Sequence, residues 1–217
     1  MVSFIAYILT SMTKVYNSAQ GYDLMAGDYD GKKGEKLAFL NSFEEGEFLA
    51  MIGGVNGKKV LDVGCGTGRL VGDLLREGAE VYGVDVSEKM VEAAQKKFGR
   101  AKFEVADACD LPFENESFDV VVAAFLIVHL KKPEDFFAEA YRVLRDGGVF
   151  VVSNINQKKA PLLKAGGSRE KFYIDSHYHI PKHVLEKLEN EFFKIEDEKF
   201  VYEGKAWVNQ VIKARKV

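Results

Sequence analysis

Three glycines at alternate positions mark the part of this chain that is best suited to binding a ligand. Residues 60–68 read Val-Leu-Asp-Val-Gly-Cys-Gly-Thr-Gly, so an apolar run ends directly in Gly64, Gly66 and Gly68. Leucines at helical spacing follow, which predicts a strand, a tight turn and a helix. Glycine at such a turn lets the backbone bend sharply and lets a ligand approach main-chain atoms. This layout is typical of nucleotide-binding α/β folds.

The residues around the glycines separate this turn from two better-known nucleotide loops. In the dinucleotide fingerprint a third small residue stands at the position that Arg69 occupies here. A phosphate-binding P-loop would end in Gly-Lys followed by Ser or Thr, which this stretch lacks. The run Asp62-x-Gly-x-Gly-x-Gly instead resembles motif I of the class I S-adenosylmethionine-dependent methyltransferases. Taken alone, the run also fits a purely structural glycine turn.

Two further acids stand where this resemblance places cofactor contacts. Asp85 ends the run that begins at Val81, about 20 residues after the glycines, and in the family this acid accepts hydrogen bonds from the ribose hydroxyls. One carboxylate has enough acceptor sites for both hydroxyls. Asp107 ends the run that begins at Phe103, and the family uses that acid near the adenine amino group. Val86 stands where the family packs an apolar side chain against adenine.

Later segments match the same family in the expected order. Residues 111–113 and 117–119, Leu-Pro-Phe and Ser-Phe-Asp, resemble its approach to the fourth strand. Residues 142–148, Arg-Val-Leu-Arg-Asp-Gly-Gly, resemble its turn before the fifth strand. Together the matches cover residues 60–153. The chain is identified as a member of the class I family, similar to its type 11 and quinone-biosynthesis-like small-molecule branch.

The resemblance implies S-adenosylmethionine as the cofactor and S-adenosylhomocysteine as its product. The implied cofactor-binding residues come from an N-terminal segment, the glycine turn and the ends of the next strands. They are Tyr22, Tyr29, Asp62, Gly64, Cys65, Gly66, Gly68, Arg69, Asp85, Val86, Met90, Asp107, Ala108, Cys109, Ala124 and Phe125. Backbone N–H groups of the turn are expected to favour the carboxylate of the cofactor. Arg69 is expected either to assist that carboxylate or to face solvent.

Strand-like and helix-like segments alternate along the chain, which predicts a parallel sheet with helices on both faces. Five strands are predicted at about 59–64, 80–85, 102–106, 118–125 and 148–154, helices at about 68–77, 88–97, 133–145 and 182–191, and two closing strands at Phe193–Tyr202 and Ala206–Lys213. The resemblance implies an α/β, doubly wound, Rossmann-like sheet of seven strands in the order 3-2-1-4-5-7-6. The seventh strand is antiparallel, an N-terminal helical cap precedes the sheet, and the ligand lies at the carboxyl ends of the strands.

A length of 217 residues favours one domain. We divide it into an N-terminal cap over 1–56, a cofactor-binding core over 57–154, and a substrate-side segment with the closing strands over 155–217. In the cap, Tyr22-Asp23 and Tyr29-Asp30 resemble the "YD…YD" entry segment of small-molecule methyltransferases, and ordinary packing aromatics are the alternative.

The first residues of the chain carry a short apolar run. It is too short to span a bilayer and has no basic flank, so we expect a cytoplasmic protein without a membrane partner. Met12 offers a second natural start, so residues 1–11 are either a small extra element or a mis-assigned start.

Composition argues against several other partners. The formal net charge is −3, so no overall basic field attracts nucleic acid. The two cysteines, Cys65 and Cys109, are expected to be free thiols. Residues 123–126 read Ala-Ala-Phe-Leu and lack the Asn/Asp-Pro-Pro-Tyr/Phe signature of enzymes that methylate amino groups of bases or glutamine. We therefore expect a small-molecule acceptor.

Residues 155–183 are expected to border that acceptor. Within 158–171, five cations accompany a single acid, Glu170; they are Lys158, Lys159, Lys164, Arg169 and Lys171. They favour an anionic acceptor, and a solvated loop is the alternative. His177 and His179 would share one face of an extended segment, with His183 nearby. No metal site is predicted, because no acid or cysteine completes a recognisable ligand set.

The sequence leaves the catalytic residues open. A base is needed only where the accepting atom loses a proton, and the candidates are His129, His177, His179 and Tyr29. We expect a methyltransferase that acts by in-line displacement, in which orientation contributes much of the rate. The alternatives are a non-catalytic S-adenosylmethionine-binding protein or subunit, and a methyltransferase acting on RNA or protein.

Overall fold

The computed structural model describes residues 13–29, 46–164 and 171–217. Residues 1–11, Asp30, Arg169 and Glu170, which enter the predictions above, lie outside these ranges. Within the described ranges the chain forms a seven-stranded sheet, a three-stranded sheet and flanking helices.

The strands and helices are numbered in chain order. The strands are β1 (Lys14–Tyr16), β2 (Lys59–Val63), β3 (Glu80–Asp85), β4 (Lys102–Val105), β5 (Phe118–Ala123), β6 (Leu144–Ile155), β7 (Leu163–Lys164), β8 (Lys171–Ile174), β9 (Phe193–Glu203) and β10 (Ala206–Lys216). The helices are α1 (Ser18–Met25), α2 (46–52), α3 (Val71–Arg76), α4 (Glu88–Lys97), α5 (Pro133–Val143) and α6 (Pro181–Asn190). None of the helices in the described part has the length and apolar character needed to cross a membrane.

The large sheet has the strand order β4-β3-β2-β5-β6-β10-β9. Strands β2 to β6 pair in parallel, and β10 is antiparallel to both β6 and β9. If its strands are counted from β2, this is the order 3-2-1-4-5-7-6 with the seventh strand antiparallel. The predicted fold is confirmed. Because the chain moves outward from β2 to β4 and then returns to β5, a crevice opens at the carboxyl ends of β2 and β5.

Alternate side chains of the central strands enter two separate cores. On one face Val60 and Val81 pack with buried side chains of α2 and α3. On the other face Leu61, Val63 and Val84 pack with α5 and α6. This burial on both faces explains the apolar run of residues 120–123 in the central strand β5.

Two predicted boundaries next to glycine-containing turns move, for different reasons. The first helix after the glycine turn begins at Val71 rather than near 68, since Gly66 and Gly68 have φ of 54° and 84°, which no helix accepts. The fifth strand begins at Leu144 rather than near 148. Its pairing with β5 jumps from Leu144 to Val149, so the predicted turn is an irregularity within β6.

The small sheet has the order β1-β8-β7, and the sequence pattern did not predict it. Strand β8 is parallel to β1 and antiparallel to β7. Tyr16 packs edge-on against Phe172 with ring centroids 5.5 Å apart. Phe172 and Ile174 are buried with Met25 of α1 and Met90 of α4. The small sheet therefore attaches α1 and the segment before α6 to the ligand-binding edge of the large sheet.

Candidate functional site

A cavity of about 340 Å³ lies at the carboxyl ends of β2, β3, β4 and β5. Its wall combines strand ends, the glycine turn, helix α1 and the segment after β5. The lining residues are Asn17, Ser18, Ala19, Tyr22, Tyr29, Asp62, Val63, Gly64, Cys65, Gly66, Thr67, Arg69, Leu70, Val84, Asp85, Val86, Met90, Ala106, Asp107, Ala108, Ala124, Phe125, Leu126, His129 and Leu130. The structure thus brings together the predicted cofactor residues, except Gly68 and Cys109, with the catalytic candidates Tyr29 and His129.

Sequence reasoning missed the start of α1. Asn17, Ser18 and Ala19 line the cavity, and the Asn17 side chain caps α1 by accepting a hydrogen bond from the Gln20 N–H at 2.9 Å. Asparagine before a helical run is a recognised N-cap signal, so the helix start could have been found. Its place beside the glycine turn depends on the β1–β8 pairing, which no local pattern indicates.

Backbone N–H groups of the glycine turn are used within the protein. Those of Gly64 and Cys65 both donate to the Val84 carbonyl, at 2.8 and 3.0 Å. The Gly66 N–H donates to Oδ2 of Asp85 at 2.8 Å, and the Gly68 N–H to the Cys65 carbonyl at 2.9 Å. These bonds fix the turn against β3. Binding of a carboxylate by the other N–H groups of the turn stays a prediction.

Gly66 and Gly68 are glycines for different structural reasons. A Cβ at Gly66 would have no atom within 4 Å, and Gly66 lines the cavity, so this backbone is open to a ligand. A Cβ at Gly68 would stand 2.7 Å from the ring of Phe98, outside the cavity. Gly68 therefore serves packing of the turn against the end of α4.

Asp85 is held on both sides at the end of β3. Its Oδ2 accepts from Gly66, and its Oδ1 accepts from the Ser87 N–H at 2.9 Å. Burial raises the pKa of Asp85, while these two N–H donors oppose the rise. The side chain is thereby fixed at the cavity wall with acceptor capacity that the two bonds do not exhaust.

Asp107 lies in the turn after β4. Its Oδ1 accepts from the Cys109 N–H at 2.9 Å, and its carbonyl accepts from the Asp110 N–H at 3.1 Å. Cys109 does not line the cavity, and burial together with the nearby Asp107 charge raises its pKa to about 11. Cys109 thus supports this turn from outside the cavity. Both cysteines are free thiols.

Arg69 is the only lysine or arginine among the lining residues that the structure describes. Its guanidinium carbon lies 4.8 Å from the ring centroid of Phe125, within the range of a cation–π contact. Acids occupy other parts of the wall, namely Asp62, Asp85 and Asp107.

Tyr22 and His129 form a hydrogen-bonded pair in the cavity wall. The Tyr22 oxygen and His129 Nε2 are 2.8 Å apart, and His129 Nδ1 is 3.1 Å from the Asp175 carbonyl. A carbonyl only accepts, so Nδ1 carries the proton and Nε2 accepts from the Tyr22 hydroxyl. Burial lowers the pKa of His129 and raises that of Tyr22. The imidazole is therefore neutral with its lone pair directed at Tyr22.

Two adjacent residues of helix α1, Tyr22 and Asp23, form hydrogen bonds to two different segments beside the cavity. Tyr22 reaches His129, while Oδ1 of Asp23 accepts from the Ser87 hydroxyl at 2.6 Å and from the Lys89 N–H at 3.2 Å. Ser87 is the N-cap of α4, so Asp23 adds an acid at the positive end of that helix.

The predicted histidine candidates His177 and His179 hold the turn that carries His129, and neither lines the cavity. The His177 N–H donates to the Val128 carbonyl at 2.6 Å. Nε2 of His179 donates to the carbonyls of Ile127 and Leu130 at 2.9 and 3.0 Å.

The basic side chains of residues 158–171 that the structure describes do not line the cavity either. Lys158 lies 5.5 Å from the ring of Tyr178, while Lys164 and Lys171 belong to β7 and β8. Across the described ranges, no group of three or more His, Cys, Asp or Glu side chains is arranged to hold a metal ion.

Comparison with known protein families matches residues 61–152 to the model of a methyltransferase domain. The chain is 36% identical over 115 residues to a demethylmenaquinone methyltransferase of Clavibacter sepedonicus, covering 52% of this chain and 47% of that protein. It is 37% identical over 106 residues to an O-methyltransferase, cnsE, of Penicillium expansum, covering 46% and 38%. The chain spans about half the length of the curated relatives that it matches.

Solved structures share the fold over a larger part of the chain. The crystal structure of an S-adenosylmethionine-dependent methyltransferase from Mesorhizobium loti superposes with a TM-score of 0.68 at 22% identity, covering 79% of this chain and 97% of that one. The ordered series of motifs, the matching domain model and this shared fold agree. Residues 61–152 are thus a methyltransferase domain, and the chain is similar in motifs and fold to the class I S-adenosylmethionine-dependent methyltransferases.

Proposed function

We propose that the protein transfers a methyl group from S-adenosylmethionine to a small organic acceptor whose accepting atom loses a proton. The observation that carries this proposal is the Tyr22–His129 pair in the cavity wall. Its neutral imidazole has one nitrogen fixed as a donor and the other directed at a hydroxyl. A group in that state is suited to receive a proton during the reaction.

The cavity residues fit the cofactor. Asp85, with spare acceptor sites, would hold the ribose hydroxyls, and Asp107 would lie near the adenine amino group. Val86 is 40% exposed at the cavity wall, an unfavourable state for an apolar side chain that a flat base would relieve. Gly66 leaves open space beside the backbone, and Arg69 would meet the carboxylate. When bound, the cofactor supplies an electrophilic methyl on a sulfonium sulfur.

The remaining work of the protein is orientation and removal of a proton. Tyr22 and His129 border the same cavity as Phe125 and Leu130, so an acceptor there would contact polar and apolar side chains together. An acceptor hydroxyl would donate to the Tyr22 oxygen, and the Tyr22 proton would pass to Nε2 of His129. The positive imidazole would keep its Nδ1 bond to the Asp175 carbonyl, while the nearby Asp175 carboxylate raises the His129 pKa.

Phenols, enols and reduced quinones are the acceptor class that this proton route favours. The names of two relatives, a demethylmenaquinone methyltransferase and an O-methyltransferase, support this class. An anionic acceptor stays a prediction, because the lysines that motivated it stand apart from the cavity. Methylation of RNA or protein is disfavoured by the acidic net charge and by a cavity of small-molecule size.

Binding and turnover test the proposal separately. We expect calorimetry to detect micromolar binding of S-adenosylmethionine and S-adenosylhomocysteine and no comparable binding of NAD or ATP. We expect S-adenosylhomocysteine to accumulate when the protein and S-adenosylmethionine are incubated with a panel of phenols, hydroxyquinols and enolic acids. NAD binding without methionine-cofactor binding would refute the cofactor. Binding without turnover on any small acceptor would favour the non-catalytic alternative.

A further inference from the structure

Phe125 has a backbone conformation that a residue with a side chain rarely adopts. Its φ is 60°, in the left-handed region that favours glycine. The other non-glycine residues with positive φ in the described part are Glu116 and Phe192, and neither lines the cavity. Phe125 does line it. Strained backbone at a ligand site commonly serves to orient a group there.

Two contacts connect this conformation to the cavity. The Phe125 N–H donates to the hydroxyl of Ser153 at 2.8 Å, and Ser153 is fully buried in β6. This bond fixes the backbone just after β5. The ring then lies beneath the Arg69 guanidinium, with 4.8 Å between the guanidinium carbon and the ring centroid. Strand β6 thus fixes the backbone of Phe125, and the ring of Phe125 contacts the Arg69 guanidinium in the cavity wall.

We infer that Phe125 is a positioning residue that holds Arg69 toward the amino-acid part of the cofactor. This inference rests on the proposed function, in which Arg69 meets the cofactor carboxylate. A free arginine side chain samples many rotamers, and stacking on an aromatic face restricts its planar head while adding cation–π attraction. The N–H groups of Gly64, Cys65, Gly66 and Gly68 are already used within the protein. The Arg69 guanidinium is the one lysine or arginine head group among the described lining residues, so its position matters for recognition of a carboxylate.

A pair of ligands separates the amino-acid end from the adenosine end. S-adenosylhomocysteine carries the amino-acid ammonium and carboxylate, whereas 5′-methylthioadenosine keeps the adenosine and the thioether but lacks both charged groups. Arg69→Met then identifies the part due to the guanidinium. We expect the unaltered protein to bind S-adenosylhomocysteine more tightly. In Phe125→Leu, which removes the ring, we expect its affinity to fall about three- to tenfold, with 5′-methylthioadenosine within twofold of the unaltered protein. Phe125→Tyr keeps the ring and should restore the discrimination.

A second variant separates the ring from the backbone. Asparagine tolerates the left-handed region better than leucine, so Phe125→Asn should have a higher Tm than Phe125→Leu. We expect the asparagine variant to lose discrimination between the two ligands to the same extent as the leucine variant. A variant that is more stable than Phe125→Leu but equally unselective is a combination that a purely structural role of Phe125 does not produce.

The possible outcomes test the role of Phe125 separately from the proposed role of Arg69. If the unaltered protein binds both ligands equally and Arg69→Met changes neither, the Arg69 assignment is refuted, and the role of Phe125 with it. If Arg69→Met abolishes discrimination but both Phe125→Leu and Phe125→Asn preserve it, only the role of Phe125 is overturned. Equal weakening of both ligands in the Phe125 variants would also overturn it, since the defect would then not concern the carboxylate.

Discussion

The two ends of the cavity are built in different ways. At the end that we propose for adenosine, called the adenosine end, the polar groups are carboxylates, Asp85 and Asp107, at the carboxyl ends of neighbouring parallel strands, and backbone N–H groups fix both of them. At the end that we propose for methyl transfer, called the methyl-transfer end, the polar groups are Tyr22 and His129, and the segments that carry them meet only through tertiary contacts. The first end is part of the large sheet, whereas the second is assembled beside it.

This difference suits the chemistry required at each end. Hydroxyl and amino groups are donors, so ionised carboxylates bind them well. An imidazole accepts a proton only in its neutral form, and burial favours that form by lowering the pKa of His129. The imidazole stands on a turn separate from the strand ends that carry the acids. Changes at the two ends should therefore affect different measured quantities.

The largest expected effect is on turnover. His129→Gln should lower the rate of S-adenosylhomocysteine formation with a phenolic acceptor by about 100-fold, since a proton-accepting group typically contributes that much or more. Affinity for S-adenosylhomocysteine should change by less than about twofold. His183→Gln, an exposed histidine on α6, is the matched control and should leave both quantities unchanged. Equal loss of binding and turnover in His129→Gln would contradict the separation of the two ends.

The next effect is on binding. Asp85→Ala should weaken S-adenosylhomocysteine binding about ten- to a hundredfold, because a charged acceptor for two hydroxyls is lost and the Gly66 and Ser87 N–H groups lose their partner. Calorimetry measures the dissociation constant, and circular dichroism checks the fold. Asp110→Ala, an exposed acid in the turn after β4, is the control. An unchanged dissociation constant in a folded Asp85→Ala protein would refute the ribose assignment.

The same contrast explains what the sequence could predict. The adenosine end depends on strand ends close in the chain, such as Gly66 and Asp85, so a strand-turn-acid pattern was enough to find it. The methyl-transfer end depends on Tyr22 meeting His129, 107 positions away, and on His129 meeting Asp175. Both contacts follow from the β1–β8 pairing, whose three- and four-residue strands carry too little pattern to predict. His129 could be named as a candidate, but its partners could not.

A third effect concerns stability at the adenosine end. Arg142 of α5 donates to both oxygens of Glu139 at 2.7 Å and to the carbonyls of Phe113 and Leu111 at 2.6 and 2.9 Å. The guanidinium thus holds the loop that follows the Asp107 turn.

Arg142→Gln should therefore lower the free energy of unfolding by about 1–2 kcal/mol and the Tm by about 2–8 °C. It should also weaken S-adenosylhomocysteine binding by a few-fold. Arg145→Gln removes a neighbouring arginine that pairs with Asp119, and serves as the control. Equal ligand affinities in the two variants would show that this loop does not influence the cofactor end.

The smallest effect is a pH dependence of stability at the methyl-transfer end. The pKa of His129 is lowered in the folded protein, first by burial, so below the ordinary value of 6.5 the unfolded chain binds a proton that the native state does not. The free energy of unfolding therefore rises with pH in this range. The contribution of His129 is lost as the pH falls from 6.5 toward the lowered native pKa. One such group contributes at most about 1.4 kcal/mol per pH unit.

Thermal melts of the unaltered protein and of His129→Gln measure this contribution. They should cover about pH 7.5 to about pH 5, the range in which histidines titrate. The loss of Tm on acidification should be smaller in the variant, but not absent, because burial also lowers the pKa of His179. Parallel melting profiles would mean that His129 is not held neutral by its surroundings. The Tyr22–His129 pair would then lack the property that distinguishes it from the acidic end of the cavity.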